Sequence, residues 1–391
     1  MQRCILISVY CLFTLSLMGE SVLDRFSLDT DFKIRPSFYA TDSPFFVNRS
    51  KHIYIGKTMN SDVQGVHLYD TKSKTKTFLS PPIDDYFLKH PELLIQGTEK
   101  LKVERLPVYI SDLLFYDEQI GKMGIFIEHN HYQLTGNKSF FAVWDLEKNE
   151  ISFLKELRSD LLKDSPSYSI ILPIGFDEKK DAAYFTFATD LDMKNKSASD
   201  VKIEVFRFVD DNLEVIQSYM SNRFPYHPVA HWEQGKILIQ SYAEIHEAPS
   251  PNGRLIDISS GEGITVSVPV VPYGATFSKD GKLLYLASSQ TGELSVLDAN
   301  KGTQIKKLKL GTHGHTMGFW KENELIWVRN SGVHIYDAQT LKQKKLIPTS
   351  KYFKGHVNVA GSLVLPYQYL IIRNSFEGPG SAVGYLFLSP D

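Results

Sequence analysis

A short apolar segment that ends in aspartate and leads into a polar turn recurs along this chain. The aspartates that end these segments are Asp70, Asp145, Asp210, Asp257, Asp298 and Asp337. Their spacings are 75, 65, 47, 41 and 39 residues, so the later units are compact and the earlier ones contain insertions. Repetition at such a period indicates that one supersecondary unit is copied side by side through the whole chain.

The most regular unit contains four short apolar segments, each bounded by Gly, Asp or Asn. They are residues 273–277, 283–288, 294–298 and 304–310. Segments of this length and composition are typical of β-strands. Four strands in about 40 residues, repeated in tandem, predict the blades of a β-propeller, and therefore an all-β chain.

The last unit has only three such segments, residues 359–365, 369–373 and 383–388. Residues 25–34 precede the first unit and have no partner of their own. We therefore expect an N-terminal strand to close the last blade, which removes an exposed sheet edge. The prediction is a seven-bladed β-propeller of four-stranded blades. Six or eight blades would require that one of the early units is assigned wrongly.

The unit at 272–310 resembles the YVTN β-propeller repeat. The matching segments are Pro272–Gly281, Leu284–Ala287, Leu294–Asp298, Gly302 and Lys309–Gly311. The resemblance is close over about a tenth of the chain, and the other units match only in their WD40-like pattern of four strands. It implies an exported bacterial or archaeal propeller. The family includes surface-layer-like proteins, lactonase-like enzymes and heavy chains of quinoprotein amine dehydrogenases, so it implies a fold more than one activity.

Charge and composition exclude two classes of protein. The chain has 391 residues, with 43 Lys and Arg against 45 Asp and Glu. A net charge of -2 excludes a nucleic-acid binder that works by bulk phosphate neutralisation. A 12% aromatic content excludes a largely disordered chain.

The N-terminus is typical of an export signal. Arg3 is followed by the uncharged, mostly apolar run Cys4 to Met18, which is short for a membrane span. We predict a signal peptide over residues 1–21 and one propeller domain over residues 22–391. An uncleaved anchor, or lipidation at Cys11, is the alternative. Cys4 and Cys11 are the only cysteines, so the mature chain would have no disulfide and no thiolate site.

The predicted connections differ between the two faces of the propeller. In each blade, the connection between the first and second strands and the connection between the third and fourth strands are short. The other connections contain nearly all the extra length, at residues 80–106, 129–139, 190–200, 243–253, 348–355 and 374–382. Because binding residues concentrate in loops on rigid scaffolds, we predict that the face with the long loops binds a partner.

Aligned first strands place four ring side chains at equivalent positions in blades four to seven: His227, Tyr273, His315 and His356. We predict that these residues surround the mouth of the channel and form the binding site. Neutral imidazoles that converge on one axis are ligands for Zn²⁺, Cu²⁺ or Ni²⁺. The candidate metal ligands are His227, His315, His356, His129 and His131, and no other cofactor is indicated.

No nucleophile elbow, phosphate-binding loop, zinc-protease motif or paired-cysteine motif occurs. We therefore predict a monomeric, exported module, periplasmic, on the outer surface or secreted, that binds a protein, peptide or glycan and no nucleic acid. The mature chain has no candidate transmembrane segment. The alternative is an enzyme with its site at the channel mouth. It would be a metal-dependent lactonase-like hydrolase or a subunit of a periplasmic redox complex.

Overall fold

Twenty-eight strands pair into seven antiparallel sheets of four strands each in the computed structural model. The structure describes residues 22–27, 45–46, 52–59, 64–70, 73, 75–103, 105–131, 133–134, 136–160, 169–190, 201–242, 252–348, 358–365, 369–375 and 383–388. This architecture confirms the predicted seven-bladed β-propeller.

Blades two and three have the longest strands, whereas the first strand of blade one has only two residues. Blade one contains β2 (Phe45–Phe46), β3 (His52–Met59), β4 (Gln64–Asp70) and β5 (Lys76–Leu79). Blade two contains β6 (Val108–Asp117), β7 (Lys122–His129), β8 (Asn137–Asp145) and β9 (Glu150–Asp160). Blade three contains β10 (Ser169–Asp177), β11 (Ala182–Asp190), β12 (Val201–Val209) and β13 (Asn212–Ser221).

The next three blades are compact. Blade four contains β14 (Pro225–His231), β15 (Lys236–Ser241), β16 (Asn252–Asp257) and β17 (Gly263–Ser267). Blade five contains β18 (Pro272–Phe277), β19 (Leu283–Ser288), β20 (Glu293–Asp298) and β21 (Gln304–Lys309). Blade six contains β22 (Gly314–Lys321), β23 (Glu324–Arg329), β24 (Gly332–Asp337) and β25 (Gln343–Pro348).

The two ends of the chain share blade seven. It contains β26 (Asn358–Leu365), β27 (Tyr369–Ser375) and β28 (Val383–Leu388), and β1 (Val22–Ser27) pairs antiparallel with β28. This is the predicted closure by an N-terminal strand. The strand lies at 22–27, towards the start of the predicted segment, and residues 28–34 lie outside the described residues.

The recurring aspartates organise the turns that follow the third strands. The Oδ1 atom of Asp298 accepts hydrogen bonds from the backbone N–H groups of Asn300 and Lys301, at 2.8 and 3.0 Å. Asp337 makes the same contacts with Gln339 and Thr340. Hydrogen bonding to the charged form holds the pKa of both carboxyls below its usual value. The repeat is therefore visible in the sequence because these turns need this acceptor locally.

The first strands of neighbouring blades contact one another from β6 to β26, so they form an inner ring. The core lies between the blades, where aromatic rings fill the space. Phe126 and Phe141 of blade two pack on Phe185 of blade three, with ring centroids 4.9 and 5.5 Å apart. The many aromatic residues therefore serve mainly to join the blades.

Antiparallel pairing places the connections after first and third strands on one face, and all of them are two to five residues long. The remaining connections lie on the opposite face, which we call the long-loop face. The longest of them, residues 80–107, contains helix α1 (Ile83–Lys89) and 3₁₀ turns at Pro91–Leu93 and Thr98–Lys100. A further 3₁₀ turn, Trp232–Gln234, joins two strands of blade four. Among the residues that the structure describes, no helix combines the length and the apolar character that a bilayer crossing requires.

The insertion at 80–107 packs onto the blade that follows it. Phe87 of α1 is fully buried, and its ring meets that of Phe140 in β8 edge to face, 5.3 Å away. The Lys138 ammonium group donates a hydrogen bond to the Leu93 carbonyl oxygen, at 2.9 Å. These contacts belong to the apolar cluster shared by blades one and two. The long insertion is therefore part of the core.

Candidate functional site

Three of the four predicted site residues lie together at the start of consecutive inner strands. His227 is in β14, Tyr273 in β18 and His315 in β22. The Tyr273 ring lies 5.5 Å from that of His227 and 6.5 Å from that of His315. With Tyr226, whose ring is 5.2 Å from that of Tyr273, they form the channel-mouth cluster. His356 lies outside the described residues.

Each of the three predicted residues sits on a β-bulge. The pairing register shifts between Tyr226 and Val229, between Pro272 and Gly274, and between Gly314 and Thr316. A bulge leaves a residue without a partner in the ladder and redirects its side chain. In three consecutive blades, the same local irregularity therefore places an imidazole or phenol side chain at the same point of the inner circle of strands.

His227 is the most constrained member of the cluster. Its φ angle is +41°, in the left-handed region that few residues other than glycine adopt. The carbonyl oxygen of His227 accepts a hydrogen bond from the buried Gln240 side chain, at 3.0 Å. This bond and the bulge hold the backbone of His227 in its unusual conformation.

The His227 ring is half-buried, but its Nε2 atom is inaccessible and has no hydrogen-bond partner among the described residues. The buried Oε1 atom of Gln240 is likewise without one. Burial, and secondarily the neighbouring His315, lowers the pKa of His227 to about 4, so the ring is neutral at pH 7. A neutral imidazole with a free nitrogen can donate or accept one hydrogen bond.

His315 and Tyr226 are also held uncharged. His315 Nε2 donates a hydrogen bond to Asn330 Oδ1 at 2.6 Å, since an amide oxygen only accepts. Burial lowers the pKa of His315, and this hydrogen bond opposes the shift. Burial, with Tyr273 beside it, raises the pKa of Tyr226. The cluster therefore offers rings and neutral hydrogen-bonding groups, and its described histidines and Tyr226 carry no charge at neutral pH.

The candidate metal ligands do not share one location. His129, at the end of β7 in blade two, is fully buried under the insertion. Its Nδ1 accepts the Ile95 N–H at 3.2 Å, and its Nε2 lies 3.2 Å from Thr98 Oγ1. The Nδ1 of His131 accepts the N–H of Gln133. Among the described residues, no group of three or more His, Cys, Asp or Glu side chains is arranged to hold a metal ion.

Tyr226, which the sequence offers as one of several aromatic anchors for a partner, directly precedes His227 and forms a wall of the cluster. Two further residues of the site, Gln240 and Asn330, were not predicted from the sequence. They lie at or just after the ends of second strands, β15 and β23. A second strand ends on the face where the first strand begins. That topology is the signal that would have identified these two residues.

No family model matches this chain, and no curated protein matches it. Solved structures do. A chain in the crystal structure of a mitotic checkpoint complex is 9% identical, with a TM-score of 0.56, and the match covers 95% of this chain and 93% of that one. The Dos1 propeller is 11% identical, with a TM-score of 0.56 and 94% of both chains covered.

Sqt1 of Saccharomyces cerevisiae is 11% identical, with a TM-score of 0.50, and the match covers 93% of this chain and 98% of that one. This chain is a β-propeller. The similar structures are WD40-type propellers. At 9–11% identity the likeness shows the fold alone. The resemblance to the YVTN repeat stays a prediction.

Proposed function

We propose that this chain is an exported, non-enzymatic binding module of the YVTN propeller type, which holds a protein, peptide or glycan partner on its long-loop face. The observation that carries the proposal is the channel-mouth cluster. Three consecutive bulges present half-buried, uncharged rings on that face. Aromatic side chains with a few hydrogen-bonding groups are what binding sites use for affinity and orientation.

Export is supported by the position of the closing strand. The predicted signal peptide ends before Val22, and β1 begins at Val22. Cleavage at that point would leave all four strands of blade seven intact. Binding of a protein partner is also supported by analogy, because one of the similar structures is a chain of a checkpoint complex.

The test uses the chain from Val22 onward, which contains every described strand. Wild type, Tyr226→Ala/Tyr273→Ala and His231→Ala are immobilised and exposed to a glycan array, and to extracellular and periplasmic extracts of the source organism. His231 is the control, since it is a histidine at the opposite end of β14. It hydrogen-bonds the Lys279 oxygen and the Gln234 N–H, and its ring meets that of Phe277, away from the channel-mouth cluster.

We expect a partner that wild type and the control retain and that the double variant binds about thirtyfold more weakly, as for the loss of one strong contact residue. Thermal unfolding of each variant confirms that the propeller is intact. Equal binding by all three proteins would exclude the channel mouth as the binding surface.

A further inference from the structure

Positive charge is concentrated in one part of the propeller. Residues 301–348, from the end of blade five through blade six, contain nine Lys and Arg but only three Asp and Glu, although the whole chain has a net charge of -2. The lysines cluster on the two outermost strands, β21 and β25, which together contain five lysines and no acidic residue. Other outer strands differ: β17 has no charged residue.

These two strands are also unusually exposed. Each is the last strand of its sheet, and each has only one residue that is not exposed. The outer strand of blade three, β13, is instead half-buried over most of its length. The lysines of β21 and β25 therefore stand on an open rim, which we call the basic rim.

Part of this charge is already compensated and part is not. Lys307 pairs with Glu293 at 2.8 Å, and Lys344 pairs with Glu324 at 2.7 Å. Lys306 and Lys309 of β21, and the exposed Lys342 directly before β25, form no ion pair with any residue in the described part of the chain. We include Lys342 in the basic rim. Unpaired, exposed ammonium groups produce a local positive potential that attracts an anionic partner.

The basic rim also exposes two large apolar side chains. Ile305 of β21 is 59% exposed and Leu346 of β25 is 40% exposed, and each is next to lysines in its strand. Lysines on an edge strand can protect it against aggregation. That role explains the charge, but it does not explain why an apolar side chain stands out beside the charge on both blades.

We propose that the basic rim of blades five and six binds an anionic lipid bilayer surface, with lysines at the headgroups and Ile305 and Leu346 at the apolar boundary. A flat surface can contact two neighbouring blades at once, whereas an added peptide strand would use the edge of only one sheet. Bulges at Ile305 and Lys344 also interrupt both edges for strand pairing. This inference is independent of the proposed partner on the long-loop face.

The test is sedimentation of the full chain with vesicles of phosphatidylcholine, with and without 30% phosphatidylglycerol. Binding to pure phosphatidylcholine vesicles measures how much of the vesicle binding comes from the apolar run 4–18 alone. We compare wild type with Lys306→Gln/Lys309→Gln/Lys342→Gln. The control is Lys279→Gln/Lys282→Gln/Lys321→Gln, which removes the same charge from three exposed lysines outside the outer strands.

We expect wild type and the control to prefer the anionic vesicles. A lysine near an anionic surface contributes about fivefold in partitioning. The rim variant, which lacks three lysines, should therefore bind the anionic vesicles about a hundredfold more weakly than wild type. Raising the salt to 0.5 M weakens binding because it screens these charges. An Ile305→Ser variant should bind the anionic vesicles about tenfold more weakly than wild type, because its side chain no longer enters the apolar boundary of the bilayer.

Two results would overturn the proposal. One is equal binding of the rim variant and the control to the anionic vesicles, and the other is no preference of wild type for anionic over neutral lipid. Binding of a soluble polyglutamate peptide without any binding to vesicles would identify the basic rim as a protein-binding edge instead.

Discussion

Two histidines, one fully buried in blade two and one half-buried in blade four, have the same lowered pKa but different hydrogen-bonding surroundings. Burial lowers the pKa of both His129 and His227 to about 4. Both ring nitrogens of His129 have partners, which fasten the insertion to the blade. The Nε2 of His227 has none among the described residues, and its backbone is left-handed. A lowered pKa therefore does not by itself separate these two histidines, whereas their hydrogen bonds do.

The largest expected effect on stability is at His129, whose two ring nitrogens both have hydrogen-bond partners. His129→Ala leaves the Ile95 N–H without its acceptor, removes one of the two hydrogen bonds of the Thr98 hydroxyl and opens a cavity. We therefore expect a loss of about 2–4 kcal/mol in the free energy of unfolding. Urea denaturation measures this loss, and limited proteolysis within residues 80–107 shows whether the insertion detaches.

His131→Ala is the control for that substitution. His131 lies two residues away and is half-buried, and its Nδ1 accepts the Gln133 N–H. We expect a change of less than about 1 kcal/mol. Equal losses for the two variants would mean that His129 does not fasten the insertion.

Acidification should act on both histidines in one pH range. Their folded pKa of about 4 lies below the usual 6.5. The unfolded chain therefore takes up protons first, and stability that is complete above pH 6.5 is lost as the pH falls towards 4. Urea midpoints between pH 7.5 and 4.5 measure the loss.

The His129→Gln variant separates the two contributions. It should show a flatter pH profile than wild type, because one of the two protons is no longer taken up on unfolding. The turn carboxyls Asp298 and Asp337 act at a lower pH, since their folded pKa lies below the usual 3.8. An unchanged profile in this variant would show that His129 does not titrate with unfolding.

The same contrast explains what the sequence could and could not predict. Blade count, closure and turn positions were predictable because the signal at Asp298 and Asp337 is local: the carboxylate bonds the backbone two and three residues later. The role of His129 was not predictable. Its partners Ile95 and Thr98 lie in an insertion that follows no repeat, more than thirty residues away.

The channel-mouth cluster could be predicted from the sequence only in part. Aligned first strands correctly place His227, Tyr273 and His315 side by side, because each blade begins its inner strand on the same face. The bulges were not predictable, because the register of a strand depends on the strand beside it. Pro228, Gly274 and Gly314 are next to bulged residues, and they give a local hint.

The last prediction concerns small effects on stability at His227. There the quantity to measure is which of two variants, His227→Gly or His227→Ala, is more stable. Glycine adopts a φ of +41° without steric cost, whereas alanine does not. We therefore expect His227→Gly to stay within about 1 kcal/mol of wild type and His227→Ala to be about 1 kcal/mol less stable than His227→Gly, the reverse of the order in a regular strand. Paired urea titrations check this order.

Both substitutions remove the ring that lies 4.1 Å from Tyr226 and 5.5 Å from Tyr273. If the cluster binds the partner, both variants lose affinity by a similar factor while their stabilities differ in the stated order. If alanine is the more stable replacement, the backbone at this bulge is not left-handed. If only stability changes and affinity does not, His227 is a structural residue like His129, and the contrast between the two histidines does not extend to function.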